Sequence, residues 1–183
     1  MRKWIKGLAI AIVMCVCASL GFAIWRAHKI QSAFERALPE VFQIAETAVA
    51  GTDGGDLLAL ITPWPIRVCG GAIYNLSRET LERINSRGLE FFKDARQSRG
   101  FAGKYPKAQY TFAPWKKSPI PENWIGNKWD QWWGLDCIET SSHLPQLVGQ
   151  MARLPGSFYT TTRYSTLVVV PSLGVIAVTF RPN

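Results

Sequence analysis

Histidine is scarce in this 183-residue chain. There are two, and His28 lies just past a long apolar run, so His143 is the imidazole left for acid–base work. No Cys-x-x-Cys or His-x-x-x-His spacing occurs, which removes the usual frame of a zinc site, and no metal ligand set is expected. Glycines do not form a phosphate-cradling loop, and none flanks Ser141 or Ser142 in the manner of a nucleophile elbow. Internal repeats and low-complexity tracts are missing too, which excludes solenoids and long disordered tails. Acidic residues are few, 13 against 21 lysines and arginines, and none precedes Glu35.

The formal net charge of +8 is uneven. Arg2, Lys3, Lys6, Arg26 and Lys29 supply +5 of it around the apolar run, so from Ile30 onward 16 bases face 13 acids, a balance of +3. That small excess gathers between Lys93 and Lys128: Arg96, Arg99, Lys104, Lys107, Lys116 and Lys117 also lie there, against Asp94 and Glu122. An excess of this size makes nucleic acid an unfavourable partner.

Residues 7–24 contain no charge. As a helix from Ile5 to Ile24 the segment rises about 30 Å, the thickness of a bilayer's hydrocarbon core. Trp4 and Trp25 bracket it at the level favoured by indole rings, and Arg2, Lys3 and Lys6 crowd the short leading side. The expectation is a basic cytoplasmic tail over 1–6 and a transmembrane signal-anchor over 7–25. An amphipathic juxtamembrane helix over 26–50 and an extracytoplasmic domain over 51–183 then follow. The bilayer is one partner in this reading, and a bacterial inner membrane, N-terminus inside, is the location. A signal peptide cleaved after Ala23 is the rival and places the domain on the same side.

Ile30, Phe34, Leu38, Val41, Phe42, Ala45 and Val49 recur at helical spacing across 26–50, interrupted at Pro39. Residues 51–55 stop that helix, and a short one over 57–61 follows. A strand with a glycine bulge is predicted over 66–74. Ser77 is placed to cap a helix running to about Arg99, with Gly100 as its C-cap and Leu81, Ile84, Gly88, Phe91, Phe92 and Ala95 on its buried face. Residues 101–136 read as a proline-rich loop, 144–154 as a short helix, and 157–170 as a long strand joined through 171–174 to a partner over 175–180. The fold class is therefore α+β: an N-terminal transmembrane helix, then helices packed on a small antiparallel sheet that ends in a C-terminal hairpin.

In an oxidising compartment Cys69 and Cys137 are the thiols available to the exported domain, and a disulfide between them is predicted. Asp136, Glu139 and His143 are weak candidates for catalysis. They fall within eight residues of one another, whereas triad members converge from separate elements, so the chain reads as non-catalytic and without a cofactor. Trp115, Trp124, Trp129, Trp132 and Trp133 interleave with lysines that include Lys116 and Lys117. Exposed tryptophan is costly, so these residues are the binding candidates for another envelope protein or a cell-wall glycan. In an extended backbone, neighbouring side chains point opposite ways, which makes one of Trp132 and Trp133 the leading contact residue.

Lys6-Gly7 ahead of an apolar helix, a proline at 39 and a late antiparallel sheet resembles the start of a type IV pilin or pseudopilin over about the first 40 residues. Ile12 stands where that family carries an acidic residue, and Leu8 stands where Phe or Met is usual. The expectation carried forward is a non-catalytic binding or assembly module of the bacterial envelope; a pilin-like structural subunit and a cell-wall-directed enzyme are the alternatives.

Overall fold

The structure, a computed structural model, describes residues 2–52, 69–99, 111–121, 134–135, 137–138, 140–162 and 165–180; the side chains of 2–11, 26, 27 and 30 lie outside that description. Helix α1 (Arg2–Ala37) is continuous for 36 residues. After it come β1 (Ile44–Thr52), β2 (Gly70–Leu76), α2 (Arg78–Arg87), a 3-10 helix (Gly88–Asp94), β3 (Lys116–Lys117), α3 (Leu144–Ala152), β4 (Phe158–Thr161), β5 (Ser165–Val170) and β6 (Val175–Phe180). The strands form one sheet in the order β1-β2-β6-β5-β4-β3 with every pairing antiparallel. The class is α+β.

Strands β2, β5 and β6 read as almost unbroken apolar runs because the sheet is covered on both faces. On one face Phe34, Leu38, Phe42, Phe91, Phe92 and Trp115 pack over Ala72, Leu167 and Ile176. On the other, Leu135, Ile138, Val148 and Ala152 pack over Ile73, Val168 and Ala177.

The two ends of α1 differ in kind. From Ile12 to Trp25 every side chain is exposed, including Ile12, Met14, Leu20 and Ile24. Phe34 and Ala37, by contrast, are buried in the domain core, and Gln31 Nε2 donates to Thr47 Oγ1 at 2.6 Å. Over the residues whose side chains are described, no helix is long and apolar enough to cross a membrane; that description enters the apolar run only at Ile12.

Several expectations need correction. The helix expected over 26–50 ends at Ala37, because the residue before a proline is driven out of the α region and Pro39 therefore stops the helix ahead of Leu38. Residues 44–52 are strand β1. Its pairing with β2 shifts register between Ile44 and Glu46, and again between Thr47 and Val49. Ala45 and Val49 stand at a spacing of four, which fits one face of a helix and also the period of two of a strand. The helix from Ser77 is also shorter than expected. Ser77 does cap it, accepting from Thr80 N–H at 3.2 Å, but Gly88 at φ 54° closes the α-helix and the 3-10 helix takes over. The long strand over 157–170 is two strands, β4 and β5, paired as a hairpin. The expected helix over 57–61 and the C-cap at Gly100 lie outside the described residues.

Cys69 and Cys137 form the disulfide, with Cα atoms 5.7 Å apart across a sequence separation of 68. It fastens the turn at 134–138 to the start of β2. Glycine permits the approach: a Cβ on Gly71 would stand 2.8 Å from Val178 O, and Gly134, at φ 91°, would carry one 2.8 Å from Thr179 Cβ. Replacing both cysteines (Cys69→Ser with Cys137→Ser) is expected to lower the unfolding free energy by about 4 kcal/mol, the chain-entropy value for so long a loop, as read from urea unfolding in detergent.

Candidate functional site

The segment that carries the cationic pair is tied down at both ends. Trp115 is buried and its Nε1 donates to Ala95 O at 2.8 Å; the ring lies 4.5 Å from Phe92 and 5.8 Å from Phe42, centroid to centroid. Ala113 N–H donates to Thr161 O at 2.8 Å, and Thr160 Oγ1 returns a bond to Ala113 O at 2.6 Å. Past the lysines, Ser118 N–H donates to Ser157 O at 2.9 Å, and Ser118 Oγ accepts from Ser157 N–H at 2.9 Å and donates to Leu154 O at 2.6 Å. Trp115 and Ser118 are buried on either side of the two-residue edge strand β3, while Lys116 and Lys117, opposite Tyr159 and Phe158, are both exposed.

Trp115 is thus corrected from a contact residue to a core residue. A large aromatic next to a short strand fills the sheet face, and its one polar atom is satisfied inside the domain. Lys116 and Lys117 make no ion pair among the described residues. Trp124, Trp129, Trp132 and Trp133 lie outside the described residues, but the pinned turn Gly134–Leu135 follows Trp133 directly in sequence.

Of the weak catalytic group, Asp136 and Glu139 lie outside the described residues. His143 is exposed at the N-cap of α3, its Nδ1 3.1 Å from Gln146 Oε1 of the same helix. The polar cluster around it has a structural job. Ser142 Oγ accepts from Leu144 N–H at 3.2 Å, and Thr140 Oγ1 accepts from Ser142 N–H at 3.1 Å, so the run makes a turn and starts a helix. Among the described residues no group of three His, Cys, Asp or Glu side chains is placed to hold a metal ion.

A second feature had no signal in the sequence. Where α1 ends over β1, an open cleft of about 650 Å³ is lined by Gln31, Glu35, Glu40, Gln43, Glu46 and Arg99, among others. Arg99 Nη2 donates to the carbonyls of Pro39, at 3.3 Å, and Phe42, while its Nε is buried without a hydrogen-bond partner among the described residues. Beneath the cleft the buried Tyr74 hydroxyl donates to Gln31 O at 3.4 Å. Burial pushes its pKa well above the usual 10.0, the Glu35 carboxylate adds to the rise, and Arg99 opposes it. Tyr74 is therefore a neutral donor that ties β2 to α1. These residues come from three stretches of chain, and only the fold brings them together.

No protein-family model matches the chain, and comparisons with curated proteins and with solved structures find no match.

The contrast between Trp115 and the lysines gives an expected outcome. Trp115→Ala should destabilise the domain by about 3–5 kcal/mol, the usual cost of emptying a core aromatic site. Lys116→Ala and Lys117→Ala should each stay within about 0.5 kcal/mol of wild type. Urea midpoints of the three variants check both statements.

Proposed function

We propose that this chain is a single-pass, membrane-anchored protein of the bacterial cell envelope whose extracytoplasmic α+β domain is a non-catalytic binding or assembly module. The observation that carries the reading is the split character of α1. Its exposed apolar length suits hydrocarbon, and its other end is part of the domain core. Arg2, Lys3 and Lys6 ahead of the apolar run favour the N-terminus inside, and a disulfide suits an oxidising compartment. From Trp25 to Phe34 the helix advances about 14 Å, so the domain stands close over the surface.

Another envelope protein or a cell-wall glycan is the partner class. Lys116 and Lys117 offer cations on a fixed strand, and the Trp132–Trp133 pair precedes a turn clamped by the disulfide. Tryptophan is enriched among the residues that carry binding energy at interfaces. A pilin-like structural subunit is the second reading, favoured by one helix that runs unbroken from an apolar arm to a sheet. N-terminal sequencing that gave Leu8 as the mature start would favour it over the anchored module.

Crosslinking in intact membranes, followed by recovery of the tagged full chain, tests the module. Trp132→Ala with Trp133→Ala should lose the recovered partner while thermal unfolding stays unchanged. Recovery equal to wild type by that stably folded variant would remove the aromatic pair from the binding surface.

A further inference from the structure

The two edges of the sheet are built differently. At one end β3 is two residues long, and both are lysine, a short and charged edge of the kind that repels strand addition. At the other end β1 runs for nine residues with no lysine, arginine or proline, and β2 is its one strand neighbour among the described residues. A strand held on one side leaves a row of backbone donors and acceptors open on the other. The register shifts of β1 fall in its first half, beside the cleft, and its pairing from Val49 to Thr52 is regular. Side-chain recognition is thus available where the ladder is irregular, and ladder hydrogen bonding where it is not.

The charge beside that edge has one sign to spare. Glu35, Glu40 and Glu46 line the cleft against the single base Arg99, whose Nη2 already serves two backbone carbonyls. Glu46 accepts from Asn75 Nδ2 at 2.7 Å and Glu35 from Gln31 Nε2 at 3.3 Å. Both donors are neutral amides, and among the described residues none of the three carboxylates forms an ion pair. A second copy of this chain is a poor occupant, because pairing β1 with β1 would bring two sets of these carboxylates together with no base in either strand. A polyanion is repelled for the same reason.

We propose that the outer edge of β1 and the adjoining cleft receive an extended, basic segment of a partner protein, which adds to the sheet as a further strand and sets its lysine or arginine side chains among Glu35, Glu40 and Glu46. The backbone ladder supplies general affinity, and the carboxylates supply the preference for bases. This proposal uses none of the aromatic-loop residues, so either reading can fail alone.

Fluorescence anisotropy of a labelled Lys-Val-Lys-Val-Lys-Val amide with the full chain in neutral detergent micelles tests it. Saturable binding is expected, weakened about tenfold or more in the variant Glu35→Gln, Glu40→Gln, Glu46→Gln. The Glu-Val counterpart should not bind. A Lys-Val peptide N-methylated on alternate backbone amides should lose its affinity although its charge is unchanged. Trp132→Ala with Trp133→Ala should bind the parent peptide as wild type does. No binding of the parent peptide, equal binding of the methylated one, an undiminished affinity in the triple glutamine variant, or loss of binding in the tryptophan variant would each overturn the proposal.

Discussion

Phe34, Ala37 and Leu38 weld the far end of α1 to one face of the sheet, and much of the molecule follows from that contact. Burial of a phenylalanine or a leucine contributes about 1.5–3 kcal/mol each, so the helix cannot lift away without opening the core. Gln31 and Tyr74 add polar ties on the same turn. The domain therefore does not hang from a flexible linker. Its orientation relative to the apolar arm is set by a continuous helix, and the cleft over β1 exists because that helix stops at Pro39 and the chain must turn back.

The opposite face depends on the turn at 134–138. Leu135 and Ile138 are buried against the sheet, the disulfide holds Cys137 to the start of β2, and glycines at 71 and 134 give the backbones room to meet. On the face that α1 covers, Phe92 organises the aromatic core, with Phe91, Trp115 and Phe158 at centroid distances of 5.2, 4.5 and 4.6 Å. That cluster holds Trp115 inside, and Lys116 and Lys117 stay exposed on the short edge strand that follows it.

What could be read from the sequence were features with one physical meaning. The β-branched stretches ending the chain, the serine cap at 77 and the pairing of the two domain cysteines each have few alternatives. Ala45 and Val49 have two meanings, because a spacing of four fits one face of a helix and also the period of two of a strand, and tertiary pairing with β2 decided between them. Gly88 was visible but its effect was not; only its positive φ reveals a helix stop. Trp115 carried the same composition signal as the tryptophans that follow it, yet long-range packing on Phe92 made it core. The cleft was invisible, since Gln31, Glu46 and Arg99 are distant in sequence and individually ordinary.

The orientation of the arm is the premise on which the disulfide's compartment, the partner class and both proposed surfaces rest. The most direct measurement fuses, after Asn183, either a phosphatase that folds only outside the cytoplasm or a fluorescent protein that matures only inside, in bacterial cells. Phosphatase activity with a dark fluorescent fusion is the expected result. A bright fluorescent fusion with an inactive phosphatase would contradict an exported domain.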